Sequence, residues 1–361
     1  KMFLKTYEKF IILNYFKNLA LVTLIFAVLS FFLNVLEEIK FFSVLDENFY
    51  YPFLLTLLNV PSILFTVFPF IFLISAMIFF LNLYEKNELI IFKIHGLNNL
   101  KILFLLTLSS LIAGILVVLI FHSFSAKMKH SYFSFKNNFT NDNKYLAMVN
   151  ENGLWLKDEV ENNTLIINAN KYFGEKLENI TITELDENFN LIKTIVSEKA
   201  IIKNKIWSLN NAKIYVENQD SKLIENYTYK TNFNSEKISN IFSNLSSLNI
   251  LQLKNLIEDY TLLGYSTVEI DSYLLSLYLL PCYLIIMTIL GSIVMFNVKQ
   301  YKSKTLSIII GILASVVIYY ISYFSNLLGE NDRVPILISI LLPQIIFSLV
   351  SLIGIIGLNE K

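Results

Sequence analysis

The chain has 361 residues, is 55% hydrophobic, contains 30 phenylalanines and carries a formal net charge of zero. That balance excludes a bulk attraction to nucleic acid, and apolar runs longer than about 18 residues exclude an ordinary soluble core. Arg333 is the only arginine, so two-point clamps on phosphate are nearly absent; Cys282 is the only cysteine, so no intrachain disulfide exists.

Lys1, Lys5 and Lys9 precede an apolar run from Phe10 to Leu36. At about 1.5 Å per residue this run crosses a hydrocarbon core of about 30 Å, and it is too long for a cleaved signal peptide. A short acidic loop sets Glu37, Glu38, Asp46 and Glu47 against Lys40. The second run, Phe53 to Leu83, contains Pro61 and Pro69, which predicts a tilt or a kink.

The next stretch, Leu81–Gly96, interrupts the apolar pattern with Glu85, Lys86, Glu88 and Lys93. Each of these charges would cost roughly 2.5–3.5 kcal/mol at the centre of a bilayer. Helical spacing predicts an amphipathic helix over about 84–96, with Leu89, Phe92 and Gly96 on one side and Gly96 ending it. A helix lying under a bundle suits docking to a partner outside the membrane; a solvated turn is the plainer alternative. Leu100–His122 then makes the third span.

From residue 127 to 270 the chain is rich in Asn, Lys and Glu and has no proline. Alternating runs at Tyr145–Val149, Leu154–Lys157, Thr164–Asn168, Asn179–Glu184, Leu191–Ser197, Ile206–Leu209, Lys213–Val216 and Leu223–Lys230 predict an all-β, jellyroll-like domain. Helical spacing returns over 249–262. Ser272–Phe296, Leu306–Leu328 and Pro335–Leu358 are the last three spans, with Pro281 and Pro343 inside the first and third of them.

The organisation is therefore a membrane α-helical protein of six transmembrane helices, three plus three, with an inserted extracytoplasmic all-β domain. Its parts are residues 1–126, 127–270 and 271–361. Orientation follows the lysines of the short loops. Lys1, Lys5, Lys9, Lys86, Lys93, Lys101, Lys299, Lys302, Lys304 and Lys361 fall on one side, against Lys40 and Arg333 on the other. Both termini are expected in the cytoplasm.

No GxxxxGK[ST] motif occurs, so ATP hydrolysis is expected on a separate chain. His95, His122 and His130 lack metal-ligand spacing, and the two that flank the third span read as interfacial. No catalytic residue, metal site or cofactor is assigned, and a membrane enzyme acting on lipids would need polar catalytic groups that the spans lack.

At this point the sequence resembles the LptF/LptG permeases, the membrane subunits of the lipopolysaccharide-extracting ABC transporter. One stretch that carries the resemblance is Leu57–Pro61 through Pro69, followed by Asn87–Gly96. It is similar to the family's proline-bearing second helix followed by an acidic residue, an apolar stretch and a glycine. The other is Glu151–Asp158, which looks like a strand of the LptG branch more than of LptF.

The resemblance implies an LptF-like permease partner, a cytoplasmic LptB-type ATPase dimer, an LptC-like single-helix protein and an LptA-like bridge. It implies lipopolysaccharide as cargo, entering from the outer leaflet of the inner membrane. It makes Glu88, with Leu89, Phe92 and Gly96, the ATPase-coupling element. Two positions depart from the family's pattern: Glu37 and Glu38 stand where basic residues are usual at the end of the first span, and Leu277 stands at a usually basic position in the fourth. Lys40, Lys127 and Lys129 are the remaining candidate contacts for lipid phosphate. A mechanical relay that moves no lipid is the alternative, although such proteins generally have four spans with the outer domain after the first.

Overall fold

The apolar runs all become helices, and most of these reach beyond the run that nucleates them. The computed structural model describes residues 5–43, 48–137, 139, 154–160, 163–173, 175–187, 189–216, 220–235, 237–238, 244–262, 265–296, 304–331 and 333–359. In chain order the helices are α1 (Thr6–Phe42), α2 (Tyr51–Glu85), α3 (Glu88–Ile94), α4 (Asn99–Leu116), α5 (His122–Asn137), α6 (Ile250–Leu262), α7 (Val268–Phe296), α8 (Lys304–Glu330) and α9 (Ile336–Asn359). A π turn, Val117–Phe121, joins α4 to α5 into one rod. Among the described residues six helices, counting that rod once, are long and apolar enough to cross a membrane.

The described chain divides into two units, 1–129 with 268–361 and 130–267. In the first, α2 and the α4–α5 rod are the most enclosed spans, whereas α1, α8 and α9 leave most of their apolar surface uncovered. The interior is aromatic and aliphatic: Tyr15, Phe72, Phe79, Phe80, Met77 and Met287 are almost wholly buried. Small residues let the backbones close up, as membrane bundles require in the absence of a strong hydrophobic drive between helices. A side chain at Gly291 of α7 would overlap the Leu73 carbonyl of α2, and one at Gly114 of α4 would come within 3.0 Å of Pro281 Cα.

Hydroxyls supply the polar ties. Tyr15 Oη lies 2.8 Å from Ser110 Oγ and 3.2 Å from Thr288 Oγ1, and the last two lie 2.8 Å apart. All three residues are wholly buried, so the triangle pins α1, α4 and α7 together where no water competes.

The second unit is a six-stranded antiparallel meander in the order β1 (Leu154–Val160), β2 (Asn163–Phe173), β3 (Lys176–Leu185), β4 (Leu191–Ile201), β5 (Ile206–Val216), β6 (Lys222–Lys230). This is the inserted β domain, its described strands following one another without a crossover. The expected strand at Tyr145–Val149 lies outside the described residues. Two expected strands, Ile206–Leu209 and Lys213–Val216, are one: Asn211 takes a left-handed conformation (φ 53°) and the pairing resumes in register beyond it.

The sheet coils on itself. Glu184 of β3 accepts a 2.6 Å hydrogen bond from Tyr229 Oη of β6, although two strands separate them in the ladder. Asp158 of β1 accepts from the Asn232 amide (2.8 Å) and Nδ2 (2.9 Å), drawing the first strand to the segment just after the last. Trp207 is wholly buried, and its indole donates to the Phe233 carbonyl at 2.9 Å.

Burial acts on the Glu184 carboxyl to raise its pKa. Hydrogen bonds from Tyr229, Lys193 and Asn163 outweigh that effect and hold it below the ordinary range. A carboxylate depressed in the folded state stabilises it above the unfolded pKa, about 4.3, and that contribution is lost as pH falls through the lower folded value. Both tryptophans, Trp155 and Trp207, lie in this unit, so tryptophan fluorescence reports on it selectively. Glu184→Gln should lower its thermal midpoint at pH 7 and flatten the loss of stability below about pH 4. Parallel acid limbs in wild type and variant would contradict this.

Candidate functional site

Helix α3 stands outside the spans and is fixed at both ends by left-handed residues. Asn87 (φ 54°) breaks the chain out of α2, and its carbonyl accepts from the Ile90 and Ile91 amides at 3.2 and 3.3 Å. At the other end Gly96 (φ 76°) forms a Schellman closure: Leu97 N–H donates to Phe92 O at 2.9 Å, and Gly96 N–H to Lys93 O at 3.0 Å. Gly96 is thus the terminating residue the sequence predicts.

The helix is shorter than the expected 84–96, with only seven residues. Leu81 to Glu85 form the last turn of α2, because the hydrophobic periodicity of a long span runs on until Lys86 and Asn87 interrupt it.

Leu89 and Phe92 share a face, as the spacing predicts, and that face is turned to the bundle. Leu89 is buried in the core of its own transmembrane unit, and Phe92 packs against that core with its ring edge-on to Phe10, centroids 6.1 Å apart. Those two residues therefore anchor α3 to the bundle. The uncovered apolar side is Ile90, Ile91 and Ile94, which are 55%, 50% and 77% exposed. A seven-residue helix with five apolar positions spread around it gives spacing arguments no way to choose its outer face. An exposed cluster of isoleucines is the signal that points to it.

Glu88 is half-buried at the start of α3. Together with Thr6, Tyr7, Phe10, Ile91, Phe92, His95 and Leu97 it lines a groove of about 450 Å³ between the first turns of α1 and α3. The groove is apolar except for the carboxylate, the threonine, the tyrosine and His95, whose Nδ1 lies 2.8 Å from the Ile91 carbonyl. Such a site suits a partner side chain with an apolar body beside a cation.

The three lysines differ in setting. Lys40, in the last turn of α1, and Lys127 are exposed. Lys129 Nζ is 2.5 Å from Asn59 Oδ1, and Asn59 Nδ2 donates to Asn34 Oδ1 at 3.1 Å, so its ammonium is tied to α2 and through it to α1. Glu38 is wholly buried, so of the two acids beside Lys40 only Glu37 is presented outward.

His122 is turned into the bundle. It is 1% exposed, with its ring tilted against Phe65 at a centroid distance of 5.0 Å and its Nε2 3.4 Å from Tyr273 Oη. The π turn immediately before it adds in effect one residue to the helical phase and rotates the imidazole inward.

A family model described as Lipopolysaccharide export system permease LptF/LptG matches residues 9–356. No curated protein matches the chain.

Proposed function

The chain belongs to the lipopolysaccharide export system permease family LptF/LptG, and from that premise we propose that it lifts lipopolysaccharide or a similar glycolipid from the inner membrane. Its family consists of permease subunits of the export system rather than catalysts, and its six apolar helices make it a multi-pass inner-membrane protein.

In this reading both termini and α3 face the cytoplasm and the β unit faces the periplasm, as the lysine asymmetry argues. A separate LptB-type ATPase dimer hydrolyses ATP and docks on α3. The observation that carries this part is the Glu88 groove beside uncovered Ile90, Ile91 and Ile94. Leu89, Phe92 and Gly96 then hold and end the docking helix rather than touch the ATPase. An LptF-like permease pairs with the uncovered faces of the bundle, this chain taking the LptG part. The lipid leaves by way of the β unit to LptC-like and LptA-like proteins. Lys40 and Lys127 meet lipid phosphate directly, and Lys129 does so by exchanging its bond to Asn59.

Proteoliposomes containing this chain, its sister permease, the ATPase and the LptC-like subunit should pass lipopolysaccharide to an LptA-like acceptor only with ATP. Photocrosslinking of lipid to the acceptor reads the transfer. Sustained ATP turnover with no lipid transferred would favour the mechanical relay.

A further inference from the structure

We propose that a shallow hollow at one end of the β unit, on the face of the sheet turned to solvent, binds a neutral sugar chain. The hollow has a volume of about 540 Å³ and is lined by Phe189, Asn190, Leu191, Thr194, Tyr215 and Val216.

Its wall begins at the hairpin between β3 and β4. Asp186 N–H donates to Asn190 O at 3.0 Å and Phe189 N–H donates to Asp186 O at 3.0 Å. The Asp186 carboxylate accepts from Asn190 N at 2.7 Å and from its Nδ2 at 3.0 Å. The strand register shifts beside this turn, at Glu184 and Leu185. In such hairpins the residue closing the turn adopts the left-handed conformation and is ordinarily glycine.

Here that residue is Phe189, with φ 61° and 70% exposure. A large side chain in this conformation is disfavoured, and a ring held in water gains nothing from folding. Both costs concentrate on one residue beside a set of hydrogen bonds within the turn, a pattern typical of ligand sites. On β5, Tyr215 is 47% exposed and sits directly opposite Thr194 in the β4–β5 ladder.

The lining selects the ligand class. None of its six residues is charged, so an anion or a cation would find no partner there. A purely apolar ligand would strand the Asn190 amide oxygen and the Thr194 hydroxyl without water. A saccharide has an apolar C–H face for the two rings and a rim of hydroxyls for the amide and the hydroxyl groups. Where the sugar belongs to the exported lipid, the inference rests on the export reading; the hollow itself does not.

The test uses the full chain in nanodiscs free of glycolipid and glycosidic detergent. Saturation-transfer NMR is run with maltoheptaose and with core oligosaccharide freed from lipopolysaccharide by mild acid. Sugar ring protons should take up saturation from the wild-type protein, and Phe189→Gly and Tyr215→Ser should each weaken binding about tenfold. Phe189→Gly relieves the left-handed strain, so the melting temperature read from Trp207 should not fall; a loss of binding then cannot be a loss of fold. Binding of the core oligosaccharide alone, lost in both variants, supports the site and narrows its ligand. No saturation with either sugar, or undiminished binding in both variants, overturns it. Sugar binding without lipid transfer would overturn the export reading and leave the hollow, and the converse result would remove the hollow alone.

Discussion

Glu88→Ala should detach the cytoplasmic ATPase from the membrane subunit while the chain still inserts and folds. The carboxylate is half-buried at the rim of the groove between α1 and α3, where a docked partner would complete its desolvation. Removing one member of a desolvated, hydrogen-bonded charge pair costs about 2–5 kcal/mol, against about 0–1 for an exposed pair. At the lower figure the affinity falls roughly thirtyfold. Glu85→Ala, at the exposed last residue of α2, should stay near wild type. Pull-down of the ATPase and ATP-dependent lipid release, measured for both variants, decide the matter. Equal behaviour of the two would mean that α3 does not dock the ATPase.

Gly291→Ala should destabilise the transmembrane unit, although alanine is by itself the better helix former. The added methyl would overlap the Leu73 carbonyl oxygen and lie 3.2 Å from its carbon, so α2 and α7 must move apart. Overpacking costs about 1–3 kcal/mol, and the upper end applies because the obstacle is backbone and has no other rotamer. Gly357→Ala is the control: nothing lies within 4 Å of its added carbon, so alanine there should be neutral or slightly stabilising. Thermal melts of the two variants in one detergent should therefore shift in different directions from wild type. Matching melts would disprove the close approach of α2 and α7.

The spans were legible because bilayer thickness imposes a long apolar run, and that signal survives every detail of packing. The strands were legible from alternation. The failures come where side-chain hydrophobicity is a poor proxy for burial. The third rod continues to Asn137, past the expected start of the soluble insert. Beyond the expected end of the third span at His122, its buried residues include Ser125, Ala126, Tyr132 and Lys136, mostly polar residues that a hydropathy reading assigns to solvent. Helix α3 shows the opposite problem, with more apolar positions than one face can hold. The motif singles out Glu88 as a candidate, whereas Ile90, Ile91 and Ile94 stand out only through their exposure. Phe189 was invisible, since no residue preference places a phenylalanine in a left-handed turn.

The triangle of Tyr15, Ser110 and Thr288 limits how α1, α4 and α7 can move past one another. Ser110 and Thr288 can each donate to a carbonyl of their own helix, Leu106 O and Leu284 O at 2.9 Å, which leaves their oxygens to accept from Tyr15. Sliding α1 along α4 and α7 by one helical rise, about 1.5 Å, would strand the Tyr15 hydroxyl in an apolar interior. A stranded hydroxyl costs roughly 1–3 kcal/mol, with no solvent to replace the missing partner. The triangle therefore behaves as a detent, resisting small slips but not a common tilt. A displacement of α1 would carry α4 and α7 with it, whereas α8 and α9 take no part in the triangle.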